Sequence, residues 1–212
     1  MTTNGLAHLP TQRNLVGEVV ESSTTEFLSQ ALELDSAPPF GALVEVASDD
    51  PLTVYGVVAE VQTAGIDPGA KAIMRGHGDI RDERIYEENP DLPLVLRTTF
   101  RALVVGFGQP DRLYQFLPPR PPRLHYSVFT CDSPTVRTFT RCGLDYLQAL
   151  LNAPDVAVDE LLAANLRYTA ALTANGSDFL QQAGRELAQL LRADYARLTG
   201  ILKRCLAPAE VV

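Results

Sequence analysis

Residues 15–61 read LVGEVVESSTTEFLSQALELDSAPPFGALVEVASDDPLTVYGVVAEV and contain the pattern that decides the fold. Short runs rich in Val, Leu and Phe alternate with Glu, Gln, Ser and Thr, and clusters of Gly, Pro and Asp separate the runs. This alternation is typical of antiparallel strands with one buried face and one solvated face. It predicts four consecutive strands, at residues 15–20, 26–34, 42–46 and 53–62.

Two glycines fall inside these strand runs. Gly17 lies in the first run and Gly56 in the fourth. A glycine in a strand interior usually marks a bulge or a tight bend, and bends of this kind allow a sheet to curl closed. The stretch therefore predicts a small β-barrel.

The strand pattern resumes further along the chain, at residues 98–107, 112–117 and 124–131. Between the last two runs, residues 118–122 read PPRPP, and four prolines in five residues favour an extended conformation that acts as a stiff strap. The barrel is expected to occupy residues 14–132.

A charge-dense insertion, KAIMRGHGDIRDERIYEENPD, interrupts the strands at residues 71–91. It shows no clear period, and it is interpreted either as a solvated excursion with a short helix near residues 82–88 or as a binding loop on a rigid scaffold. The candidate partner contacts in this loop are Arg75, His77, Asp79, Arg81, Arg84 and Tyr86.

The chain after Asp132 has the apolar spacing of about three amphipathic helices. The first opens at Ser133, a favourable N-cap, and the second covers residues 158–174. The third, residues 177–206, is the longest at about 40 Å. Its apolar stripe leaves two alternatives open, a helical bundle within the chain or a homo-oligomer formed through this helix.

The expected architecture is therefore α+β, with an N-terminal antiparallel barrel followed by helices. The chain is expected to divide into a flexible N-terminus at residues 1–13, the barrel at 14–132, a helical domain at 133–206 and a tail at 207–212.

The succession GEVVES, EFLSQALEL, PPFGALVEV and VYGVVAEV resembles the HAS-barrel family, the N-terminal barrel of HerA-type DNA translocases and of rotary ATP synthase subunits. The resemblance covers the first third of the chain well and the strands up to about Cys131 less distinctly. It implies a barrel that packs against neighbouring subunits of a ring ATPase or another multisubunit machine.

The sequence departs from those larger proteins in its chemistry. It contains no phosphate-binding G-x-x-x-x-G-K-[ST] loop, and its two lysines, Lys71 and Lys203, follow no such loop. ATPase activity is therefore not carried over from the resemblance. No catalytic residue, cofactor site or metal site is predicted, and the chain is expected not to be an enzyme.

Composition narrows the class of partner. A net charge of −8 with no basic run disfavours nucleic-acid binding, which depends on neutralising phosphates. No run approaches the roughly 18 apolar residues of a membrane span. Three widely spaced cysteines give no disulfide framework, so we expect a cytoplasmic protein without membrane insertion.

Two functions fit these features. The first is a non-catalytic interaction or assembly module whose barrel docks on a larger, ATPase-type complex through a protein partner that the sequence does not name. The alternative is a small-molecule-binding protein, or a small enzyme, with its site in the loop at residues 71–91.

Overall fold

The computed structural model describes residues 14–47, 51–67, 69 and 71–206. The expected flexible N-terminus, residues 1–13, and the tail, residues 207–212, lie outside the described residues.

The described residues form seven strands and seven helices, of which five helices follow the last strand and two lie between the fourth and fifth strands. The strands are β1 (Asn14–Ser22), β2 (Glu26–Ala31), β3 (Leu43–Val46), β4 (Thr53–Gly65), β5 (Leu96–Gln109), β6 (Arg112–Tyr114) and β7 (Ser127–Thr130). The helices are α1 (Glu83–Glu88), α2 (Leu92–Val95), α3 (Ser133–Arg141), α4 (Tyr146–Leu151), α5 (Val158–Leu172), α6 (Gly176–Leu190) and α7 (Tyr195–Cys205).

The strands make one antiparallel sheet that closes into a barrel-like ring. Its order is β2-β1-β7-β3-β4-β5-β6, and an additional pairing of β2 with β5 brings the two sides together. Six strands thus complete the ring, and β6 extends it beyond β5. This confirms the expected α+β class at the level of an N-terminal antiparallel near-barrel with C-terminal helices.

Both glycines singled out in the sequence lie at irregularities of the ladder. The β1–β7 register shifts between Leu15 and Gly17, and the β4–β5 register shifts between Tyr55 and Gly56. A Cβ on Gly17 would lie 2.4 Å from the carbonyl oxygen of Gln30, and one on Gly56 would lie 2.8 Å from the ring of Phe27. Only glycine allows such close approach, and both glycines lie at ladder irregularities of the kind that the sequence predicts.

The two faces of the sheet bury two separate groups of apolar side chains. On β4, Val54 and Val58 belong to a cluster drawn from all six ring strands, so this cluster fills the interior. Tyr55, Val57 and Ala59 point the other way and pack with helical residues in a second cluster. The helices therefore cover the outer face of β3, β4 and β5.

A buried polar contact joins the barrel to the helices. Asn165, on α5, donates from Nδ2 to the carbonyl oxygen of Gly41 at 3.0 Å, and its Oδ1 accepts from the Tyr146 hydroxyl at 3.0 Å. Burial raises the pKa of Tyr146, and a hydrogen bond with the Thr169 side chain acts in the opposite direction. Gly41 has a φ of 86°, and its close approach to α5 requires the absence of a side chain.

The expectation of about three helices was wrong in number, because two of the predicted helices are broken. The first is interrupted at Gly143, whose φ of 130° lies outside helical geometry. Gln115 spans the interruption: its Nε2 donates to the carbonyl oxygens of Phe139 at 2.8 Å and Gly143 at 3.0 Å. These hydrogen bonds from Gln115, the residue after β6, stabilise the break, so two short helices form where one was predicted.

The predicted long helix at residues 177–206 is also two helices, α6 and α7. Asp194 accepts a hydrogen bond from the Arg197 amide at 2.9 Å and so caps α7, an alternative to a continuous helix that the spacing of leucines does not reveal. The break lets α7 pack on α5, where Arg197 lies 2.7 Å from Asp159.

The apolar stripe of this region lies within the chain's own core. Leu187, Leu191, Leu198 and Ile201 are all buried in the cluster shared with α4, α5 and the barrel. The predicted alternatives for this stripe were an intramolecular bundle and a homo-oligomer, and its burial in the core is the packing of an intramolecular bundle.

Candidate functional site

The candidate site is built by the excursion between β4 and β5, residues 66–95. Arg75 closes this excursion: its guanidinium contacts both carboxylate oxygens of Asp91, at 2.8 and 2.9 Å, and Asn89 Oδ1 at 3.1 Å. The base of the excursion is a hydrogen bond from the Ile66 amide to the Val95 carbonyl oxygen, 2.9 Å. These contacts hold the excursion together at the ends of β4 and β5.

An open cleft of about 940 Å³ lies between the excursion and the ends of β4 and β5. Its walls are mainly apolar, and its charged groups lie among them. The apolar side chains of its lining include Ile66, Ile73, Met74, Ile85, Leu94 and Val95.

Several of these apolar side chains stand in solvent rather than in a core. Met74 is 92% exposed, Ile73 79% and Leu94 77%. Single exposed apolar residues are common on protein surfaces, but a contiguous group around one cleft usually marks a binding site. The cleft is therefore the strongest candidate surface in the described part of the chain.

The six residues singled out from the sequence divide into two groups. Arg75, His77, Arg81 and Tyr86 line the cleft. Asp79 and Arg84 do not line it: the Arg84 guanidinium donates to the Asp79 carbonyl oxygen at 3.3 Å and lies 3.8 Å from the Glu88 carboxylate.

The polar contacts at the cleft are those of a folded loop. Arg81 Nε donates to the Gly78 carbonyl oxygen at 3.1 Å, and His77 Nδ1 lies 3.3 Å from the Arg75 carbonyl oxygen. Within the described residues, no group of three His, Cys, Asp or Glu side chains could hold a metal ion. The arrangement offers apolar contact and a few rim charges for recognition.

The apolar part of the site was missed by the sequence analysis, which selected charged and aromatic residues. One signal was available: residues 72–74 read AIM inside an otherwise charged segment. Leu94 and Val95 carried no such signal, because they lie just before the run at residues 98–107 that is predicted as a strand. Pro93 instead stands in the first turn of α2, where its missing amide costs nothing.

Comparison with known proteins adds no identification: no protein-family model and no curated protein matches the chain. The resemblance to the HAS-barrel family thus stays a prediction. In the part of the chain that the structure describes, no helix is both long enough and apolar enough to cross a membrane.

Proposed function

We propose that this protein is a non-catalytic interaction module that docks on a larger assembly through the cleft of the excursion. The observation that carries this proposal is the exposure of Ile73, Met74 and Leu94 around one cleft. Burying each of these side chains against a partner would contribute about 2 kcal/mol. Met74 adds an adaptable contact, since methionine fits irregular partner surfaces.

The exposure of these residues favours a protein partner over a small ligand. Small-molecule sites enclose most of the ligand surface, whereas here the apolar side chains project outward from the walls. A partner that covers them removes more apolar area from water than a ligand within the cleft. The resemblance to the HAS-barrel, in which the barrel packs against neighbouring subunits, supports a multisubunit assembly as the class of partner.

Site-specific photo-crosslinking in the native cell tests the proposal. A benzophenone amino acid is placed at Met74 in one variant and at Tyr195 in a control variant, since Tyr195 is comparably exposed, at 79%, but lies on α7 outside the cleft. We expect one discrete protein adduct from position 74 and none from position 195. The absence of an adduct at position 74, or the same adducts from both positions, would refute the proposal.

A second variant measures the energetic role of the cleft. Met74→Asp should leave the fold intact, because its side chain is exposed, and should reduce adduct formation from a crosslinker at Tyr86. Leu206→Asp is the matched control, since Leu206 is 67% exposed at the far end of α7. Equal adduct yield in both variants would show that the cleft is not the docking surface.

The alternative function is small-molecule binding, and the volume of the cleft favours it. A volume of about 940 Å³ falls within the roughly 300–1,000 Å³ of small-molecule sites. Native mass spectrometry of the purified protein tests this alternative: a bound compound should be lost in Tyr86→Ala and retained in Tyr195→Ala. If both variants have the mass of the chain alone, the result counts against small-molecule binding.

A further inference from the structure

Among the described residues, the second half of β4 has a partner on only one of its edges. The pairing of β3 with β4 ends at Leu43 and Val57, and the backbone of Val58 makes the last contacts on that side, with Gly41 and Ala42. From Glu60 to Gly65, β5 is the one described strand that pairs with β4. On its other edge, no backbone hydrogen bond to any described residue is formed.

The alternation of the ladder identifies the unpaired groups. Ile66 donates its amide to Val95, and no register shift occurs between Glu60 and Gly65, so every second residue before Ile66 also faces β5. The N–H and C=O groups of Val61, Thr63 and Gly65 therefore point away from β5, toward the open edge.

This edge is accessible and held in strand conformation. Val61 is 43% exposed, and Gln62 and Thr63 are also exposed. The Thr63 hydroxyl donates to Asp35 Oδ1 at 2.7 Å, which anchors the strand without using its open-edge backbone groups. Neither proline nor lysine, the residues that commonly protect sheet edges, occurs between residues 60 and 65.

The edge leads directly into the cleft, because Gly65 and Ile66 form part of the cleft wall. A row of alternating backbone donors and acceptors is complementary to another extended backbone, and apolar pockets beside it can receive side chains of the added strand. The other edge strand, β6, has only three residues and offers a much shorter row.

We propose that the open edge of β4, from Val61 to Gly65, receives an extended strand of a protein partner, whose side chains continue into the cleft. This inference rests on the proposed function, since it specifies how the partner is bound. The partner segment is a strand of five or more residues with apolar side chains and without proline at the paired positions.

Hydrogen exchange of the ¹⁵N-labelled protein gives the first test. In the free protein, the amides of Val61, Thr63 and Gly65 should exchange fast, while those of Gln62 and Ala64, bonded to β5, exchange slowly. Protection of the edge amides in the free chain at all concentrations would mean that residues 1–13 or another part of the chain already cover the edge. Protection that rises with protein concentration would assign the edge to a second copy. Either result overturns the proposal.

A library of linear peptides displayed on phage is the probe for binding, so the experiment does not depend on the native partner. Peptides selected on the wild-type protein should protect the amides of Val61, Thr63 and Gly65 in alternation. Binding of these peptides should fall about fivefold or more in Val61→Pro, the loss expected for one main-chain hydrogen bond, and should persist in Val61→Ala. The proline should not disrupt the β4–β5 ladder, because the amide of residue 61 donates no hydrogen bond to β5.

The outcomes separate this inference from the proposed function. Selected peptides that leave the edge amides unprotected, equal binding by Val61→Pro and Val61→Ala, or failure to select any peptide would refute strand addition. The crosslinking at Met74 is independent of all three results. An adduct at Met74 without protection of the edge amides would support docking at the cleft and would refute only strand addition.

Discussion

Deletion of the helical region, residues 133–212, should prevent the barrel from folding. The outer face of the sheet buries five large side chains under the helices: Leu43, Tyr55, Val57, Leu103 and Val105. Exposing each of them costs about 2 kcal/mol, so the deletion removes about 10 kcal/mol of stabilisation. That amount is comparable to the roughly 5–15 kcal/mol total stability of a typical domain.

The assay compares chains ending at Asp132 and at Leu206 by circular dichroism, thermal melting and analytical ultracentrifugation. The longer chain keeps every described helix and serves as the control. We expect cooperative melting only for the longer chain, with aggregation or an unfolded spectrum for the shorter one. A soluble, cooperatively melting β-rich monomer at residues 1–132 would refute the reasoning and support the predicted division into two domains at residue 132.

Three further predictions concern stability. Gly17→Ala should lower the free energy of unfolding by about 1–3 kcal/mol in denaturant titration, because the alanine Cβ would clash with a carbonyl oxygen. Gly184→Ala is the control: on α6 the added Cβ would make an ordinary 3.6 Å contact and should not destabilise the protein. Leu198→Asp should lower the melting temperature sharply by burying an unpaired charge, and Leu206→Asp should not; unchanged melting in both would contradict the intramolecular stripe. Burial raises the pKa of Tyr146, so the contribution of this tyrosine to stability should be intact below pH about 10, the pKa of the phenol in the unfolded chain. Above that pH the unfolded phenol ionises, and the free energy of unfolding should decline. Denaturation titrations at several pH values that show no such decline would contradict the burial.

The positions of the strands could be predicted because the signals are local. Alternation of apolar and polar residues located β1 to β4, and glycines within two runs located their bulges. Each signal depends on the backbone and on neighbours two residues away, so a single sequence is sufficient.

The candidate site could be located only as a segment. The charge density and lack of period at residues 71–91 set it apart, but the cleft combines Met74 with Ile66 and Leu94, which come from both ends of the excursion. Whether an apolar residue in such a segment is buried or exposed depends on how the segment folds back, and no local pattern determines that.

The sequence by itself determined the order of sheet and helices, most strand positions and the bulging glycines, because these follow from backbone propensity and short-range periodicity. The tertiary structure decided which strands close the ring, which face the helices cover and where the first predicted helix breaks. The contact of Asn165 with Gly41 illustrates the reason, since it joins groups 124 residues apart. Burial and hydrogen-bond satisfaction between such distant groups outweigh the continuity of any one helix, and they are defined only once the chain has folded.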